Sequence, residues 1–211
     1  MGYIPGLDVF LQIQKFVEEE KIKTVTFNQQ PINLIEEIKP FRIRVPKKHL
    51  YFKYTDVSKV LKEVPVYYHK ILSKLLSFRS YKYKYTSLDF FIKEMKAGDC
   101  SSNTIWHWDG RDYNFTDPDR YVMFHSTPEC RTEFIPNPFI YIYSENTEKG
   151  EFINKELNPY LDKINLRTVQ IPAFTFVEYN SLNLHRATRA ESDCTRLFMR
   201  LCESNHIQPR G

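Results

Sequence analysis

Residues 195–204 read Thr195-Arg196-Leu197-Phe198-Met199-Arg200-Leu201-Cys202-Glu203-Ser204, with no glycine, proline or asparagine to interrupt them. In a strand, successive side chains leave opposite faces. Leu197, Met199 and Leu201 then share one face, and Arg196, Phe198, Arg200 and Cys202 share the other. The first face is apolar and requires a hydrophobic layer against it. If that layer is helical, the arginine face looks into the interior of a β barrel, where an unpaired charge is very costly. A buried guanidinium calls for a planar carboxylate that matches its fork, and a dicarboxylate ligand would satisfy one of the two arginines. The alternative is a surface strand on which these arginines pair with Glu178, Glu191 or Glu203.

The sequence upstream supports the interior reading. From residue 103 short apolar runs are separated by Pro, Gly and Asn: 103–108, 121–126, 139–144, 168–171, 174–179 and 195–203. Closely spaced short strands of this kind predict an antiparallel sandwich or barrel. Residues 145–165, polar and carrying Gly150 and Pro159, read as a loop or insertion with room for one short helix.

The first hundred residues read differently. Leu7, Phe10, Ile13, Phe16 and Val17 recur at helical spacing, and Ile32, Leu34, Ile35 and Ile38 give a shorter case. Thr55 is a candidate cap for a helix carrying Val57, Val60, Leu61 and Val64; Pro65 interrupts it, and Tyr68, Ile71, Leu72, Leu75 and Leu76 resume the period. Residues 41–45, 50–54 and 81–85 read as short strands, and 87–96 as a helix closed by Gly98. The expectation is an α+β molecule with a mainly β core: one domain over 1–211, with a helical cover in 1–99 and a β-rich core in 100–205.

Composition agrees with a globular chain. Of 211 residues 42% are hydrophobic and 27% charged, with 16 Phe and 14 Tyr, which is not a disordered profile. No run approaches the ~18 apolar residues of a membrane span, and the first residues, MGYIPGLDVF, resemble no export signal. Gly6 stands where a myristoylation motif needs Ser or Thr. A cytoplasmic, membrane-free protein is expected. Cys100, Cys130, Cys194 and Cys202 form no C-x-x-C pair, so reduced thiols are expected. The net charge of +4 conceals a segment, Lys39 to Lys84, with thirteen Lys or Arg against Asp56 and Glu63. Such a cluster is either a solvated face or a surface that tracks a nucleic-acid backbone.

The chemistry-bearing residues lie in the β-rich half. In NTIWHWDG (103–110), His107 and Asp109 are two apart, so on a strand they leave the same face. His185 in NSLNLHRAT follows the 174–179 strand and its turn, and is a candidate third ligand. Two imidazoles and a carboxylate on one face of an octahedron leave three positions open, the arrangement of non-haem Fe(II) oxygenases. His125, Arg131, Tyr141 and Tyr143 are candidate substrate contacts with packing as the default, and Trp106 and Trp108 read as packing residues.

The order of these residues, His107-x-Asp109, then Thr132, then His185 with Arg196 eleven residues beyond it, resembles the Fe(II)/2-oxoglutarate-dependent dioxygenases of the double-stranded β-helix (jelly-roll, cupin-like) fold. The pattern is nearest to the taurine-dioxygenase and phytanoyl-CoA-hydroxylase branches. It covers residues 100–205, and the span from Thr132 to His185 is shorter than in the taurine-dioxygenase group. The resemblance implies that His107, Asp109 and His185 bind Fe(II), that Arg196 holds the distal carboxylate of 2-oxoglutarate, and that Thr132 places a hydroxyl near it. Arg200 is implied to touch the cosubstrate or an acidic substrate. Because position 109 is Asp, halogenation is disfavoured. The implied activity couples O2-dependent decarboxylation of 2-oxoglutarate to succinate with hydroxylation of a small molecule such as an amino acid or specialised metabolite. Two alternatives stand beside it: the same chemistry on a nucleic-acid or protein substrate guided by residues 39–84, and a cupin-like binding protein without turnover.

Overall fold

The structure, a computed structural model, describes residues 33–44, 50–109, 117–135, 157–161, 168–181 and 183–206. Nine strands are described: β1 (Asn33–Glu37), β2 (Tyr51–Thr55), β3 (Tyr85–Met95), β4 (Arg120–His125), β5 (Thr132–Phe134), β6 (Val169–Gln170), β7 (Thr175–Asn180), β8 (His185–Ala187) and β9 (Cys194–Ser204). The helices are α1 (Val57–Glu63), α2 (His69–Ser77) and the single turn α3 (Asn158–Leu161), with a 3-10 turn at Val66–Tyr68. A six-stranded sheet runs β1-β7-β4-β9-β3-β2, and a three-stranded sheet runs β6-β5-β8. All pairings are antiparallel.

β9 lies inside the large sheet, paired with β3 from Tyr85↔Ser204 to Met95↔Cys194 and with β4 on its other side. Its two faces do what their residues dictate. Leu197, Met199 and Leu201 join Leu88, Phe90 and Ile92 of β3, Val122 and Phe124 of β4 and Phe176 of β7 in one apolar cluster. That cluster is closed by Val60 and Val64 from α1 and its end, and by Tyr68, Ile71, Leu72 and Leu75. Each fully buried Leu or Met there stabilises the fold by roughly 1.5–3 kcal/mol. On the opposite face, Tyr121, Met123, Val177, Tyr179 and Cys202 meet Phe134 and Ile171 of the small-sheet region.

The helices begin and end for local reasons. Asp56, rather than Thr55, caps α1: the Ser58 amide donates to Asp56 Oδ1 at 2.7 Å. Pro65 stops that helix and starts the 3-10 turn, whose Tyr68 amide donates to the Pro65 carbonyl at 2.9 Å. Among the described residues no helix is long and apolar enough to cross a membrane. All four cysteines are free.

Several elements differ from the sequence expectation. Residues 87–96 are not a helix but most of β3: Leu88, Phe90 and Ile92 alternate toward the helices, and the full-length pairing with β9 decides the outcome. Gly98, at φ +86°, closes a turn in which the Asp99 amide donates to the Lys96 carbonyl at 2.9 Å. Residues 33–37 are a strand, because β7 offers an unpaired edge to them. Residues 41–44 are irregular although Phe41 and Ile43 pack on the core, and 103–108 make only a bridge at His107. Tyr81 takes φ +58°, which breaks the expected 81–85 strand until Tyr85. The expected helix around 7–17 and strand 139–144 lie outside the described residues.

Candidate metal centre

A short backbone bridge brings the three candidate ligands together. The His107 amide donates to the His185 carbonyl at 3.1 Å and the His185 amide returns the bond at 2.9 Å. Residues that exchange both bonds stand directly opposite one another with side chains on one side. The two imidazole centroids are accordingly 4.5 Å apart. His107 Nδ1 is 2.8 Å from the Ile105 carbonyl, and His185 Nδ1 is 2.9 Å from the Asn183 carbonyl. A carbonyl only accepts, so each ring carries its proton on Nδ1 and leaves the Nε2 lone pair free. Asp109 completes the set, with Oδ2 3.5 Å from His185 Nε2.

One ligand atom from each of His107, Asp109 and His185 falls within 4.8 Å of the others. Bonds of about 2.1 Å put adjacent octahedral ligands about 3 Å apart, so small shifts close the set around one ion. Burial pulls the His185 pKa down to about 4, with Asp109 opposing in part. The imidazole is therefore neutral at physiological pH, the form that ligates metal. The donor set and its tautomers fit a first-row divalent ion such as Fe(II).

The triad opens into a cavity of about 370 Å³ that Thr132, Arg196 and Arg200 also line. Arg196 is 2% exposed and, among the described residues, its hydrogen-bond partners are all neutral. Nη1 donates to Ser101 Oγ and lies 3.6 Å from Cys130 Sγ, Nη2 donates to Thr132 Oγ1 at 3.3 Å, and Nε has no partner among the described residues. Burial lowers its pKa, yet an arginine remains charged. A cation in this environment costs several kcal/mol until an anion reaches it.

Arg200 is the opposite case. Its Nε and Nη2 lie 2.8 and 2.6 Å from Asp89 Oδ2, and Nη1 lies 2.6 Å from Asp109 Oδ2 and 3.2 Å from the Tyr179 hydroxyl. Two carboxylates thus hold both edges of its fork. The surface alternative does not apply to either arginine, since both are buried while Glu191 is exposed, and Glu178 and Glu203 both pair with Arg120.

The remaining candidates lie elsewhere. His125 is fully buried outside the cavity lining, with each ring nitrogen 3.1 Å from a backbone carbonyl, of Thr127 and Ile171. Arg131 Nε donates to the Pro128 carbonyl at 2.7 Å. Trp106 and Trp108 are buried, and the Arg186 guanidinium lies over the Trp106 ring at 4.3 Å. Tyr141 and Tyr143 lie outside the described residues. Sequence reasoning missed Asp89, Ser101 and Tyr179. Asp89 was findable, because Ser87, Asp89, Phe91 and Lys93 alternate with Leu88, Phe90 and Ile92 once β3 is read as a strand.

No protein-family model matches the chain, and no curated protein does. Solved structures do. EvdO2 from Micromonospora carbonacea var. aurantiaca overlaps 74% of this chain and 66% of its own at TM-score 0.41 and 11% identity; it has also been solved with 2-oxoglutarate. The epimerase SnoN in complex with Fe3+, alpha ketoglutarate and nogalamycin RO overlaps 94% of this chain and 73% of its own at TM-score 0.43 and 12% identity. In a second structure, of the non-heme alpha ketoglutarate dependent epimerase SnoN from nogalamycin biosynthesis, this chain spans 46% of its length.

Proposed function

We propose that this chain is a non-haem Fe(II)/2-oxoglutarate-dependent oxygenase of the double-stranded β-helix kind that hydroxylates a small molecule. The observation that carries the reading is a single cavity joining a His-Asp-His ligand set to a buried arginine whose partners among the described residues are all neutral. His107, Asp109 and His185 would hold the metal on one side. Arg196, with Ser101 and Thr132 orienting its guanidinium, would hold the distal carboxylate of 2-oxoglutarate. Its lack of a carboxylate partner among the described residues supports Arg196 over Arg200 for that role. When bound, Fe(II), 2-oxoglutarate and O2 supply oxidative decarboxylation to succinate and CO2 with transfer of one oxygen atom to the substrate. Arg200, clamped by Asp89, fixes the Asp109 carboxylate, and the carbonyls of Ile105 and Asn183 fix the two imidazoles.

A small-molecule substrate is supported by the cavity volume, which lies in the range of metabolite pockets. Lys59, Lys62, Lys70 and Lys74 of the basic segment belong to α1 and α2, on the face of the large sheet opposite the cavity. That position speaks against their guiding a nucleic acid to the metal. The helices and the cavity share one sheet, which supports treating cover and core as one domain.

The test is anaerobic addition of Fe(II) and 2-oxoglutarate to the purified protein. A visible metal-to-ligand charge-transfer band, followed by succinate formation on admitting air, is the expected result. Neither a band nor succinate would leave a binding protein without turnover.

A further inference from the structure

The cavity has an aromatic wall whose order is set by strand register. Tyr51 of β2 stands opposite Phe91 of β3, and Phe91 opposite Phe198 of β9. The Phe91 and Phe198 rings stack at 4.9 Å and 17°, and Tyr51 continues the row at 6.2 Å and 34°. All three line the cavity that contains the His-Asp-His set. Arg196 closes the inner end, its guanidinium 5.4 Å from the Phe198 centroid. Tyr51 forms the outer end on the edge strand of the sheet and is 64% exposed.

Burial separates this row from ordinary core. Phe90, Ile92, Leu197 and Met199, on the other face of the same strands, are essentially inaccessible, whereas Phe91 and Phe198 remain half-buried toward the open volume. Because the rings stack on one another along the row, they turn their edges rather than their faces to the cavity, and these edges line it from the chemistry to the solvent. Charge narrows the occupant further. The charged groups in the described lining are Asp89, Asp109, Arg196 and Arg200, and they cancel. Adding a divalent cation and a dicarboxylate leaves the sum at zero. Among the described residues no counter-charge is left over for an ammonium, carboxylate or phosphate on the substrate.

We propose that the substrate is an uncharged molecule with a planar aromatic ring system, its ring face laid edge-to-face across Phe91 and Phe198 and against the exposed Tyr51. This rests on the iron and 2-oxoglutarate reading for the chemistry, but the aromatic wall is testable without it. The probes are 2-naphthol and its saturated counterpart decahydro-2-naphthol, titrated by calorimetry into the metal-free protein and into the anaerobic protein loaded with Fe(II) and 2-oxoglutarate. We expect 2-naphthol to bind about tenfold more tightly, a difference of about 1.4 kcal/mol. Tyr51→Ala should erase most of that preference, Tyr51→Phe should restore it, and Tyr81→Ala, at an exposed tyrosine outside the cavity lining, should leave it unchanged. Equal affinity for the two probes, no binding of 2-naphthol, or a Tyr51→Ala variant indistinguishable from wild type would overturn the proposal. The charge-transfer band, read in the same samples, reports separately on the iron and 2-oxoglutarate reading: naphthol selectivity without the band removes that reading and leaves the aromatic subsite standing.

Discussion

Arg196 and His185 carry different burdens, and their variants should separate. His185→Ala removes one of the three proposed ligands, of which the two imidazoles are held by backbone carbonyls and the carboxylate by Arg200, so none of the described neighbours replaces it. It is expected to abolish Fe(II) retention in equilibrium dialysis and succinate formation with it. Arg196 contributes a buried charge with no carboxylate partner among the described residues. Arg196→Met relieves that cost, and should raise the unfolding free energy of ligand-free protein by roughly 1–3 kcal/mol. The same variant should lose the stabilisation that 2-oxoglutarate gives the wild type, because the anion has lost its partner. Thermal melts with and without 2-oxoglutarate check both halves. A destabilised ligand-free variant would mean that Arg196 is a structural residue already satisfied by Ser101 and Thr132.

At the scale of the element, β9 divides its work between two faces, and substitutions should report which face they touch. Met199→Ala removes a fully buried side chain from the helix-facing cluster and should cost about 2–5 kcal/mol in denaturant unfolding. Phe198→Ala, one residue away on the cavity face, should cost less, since its ring is only half-buried. The sequence made β9 legible because strict alternation over a long run has one good interpretation. It made α1 and α2 legible through a proline and a 3.6-residue period, although the cap is Asp56 and not the expected Thr55. β3 was not legible: a short segment with adjacent Phe90 and Phe91 satisfies a helical and a strand pattern equally well. What decides it is β9, more than a hundred residues away in the chain. Misreading β3 hid Asp89, and with it the reason that Arg200 and Arg196 are not equivalent. The types and spacing of His107, Asp109 and His185 were legible, but their convergence depends on the His107–His185 bridge, which no local pattern specifies.

For the whole molecule, two buried neutral histidines set how stability responds to acid. Burial lowers the His125 pKa to about 3, outweighing the two facing carbonyls, of which the neutral ring can donate to only one; it lowers that of His185 to about 4, and both lie below the ordinary 6.5. Below about pH 6.5 the unfolded chain takes up a proton at each of these positions, while the folded chain stays neutral until about pH 4. The unfolded state therefore binds more protons, and stability falls with acidification through that window by up to about 1.4 kcal/mol per pH unit for each histidine. The lowered carboxyl pKa values of Asp56 and Asp193 act only below the ordinary carboxyl value of 3.8, outside the same window. Denaturant midpoints of chelator-treated protein at pH 7, 6 and 5 should decline accordingly. Replacing His125, which lies away from the metal set, with Gln should remove one proton from the slope at some cost in stability at pH 7. Bound Fe(II) would shift the balance further, since a metal on His185 excludes its proton from the folded state and adds its own binding free energy. Loaded protein should then be more stable than metal-free protein at pH 7 and lose that advantage as acid competes for the ligand. A wild-type stability that is flat from pH 7 to 5 would mean that neither imidazole is held neutral by burial, and would remove the electrostatic case for His185 as a preformed ligand.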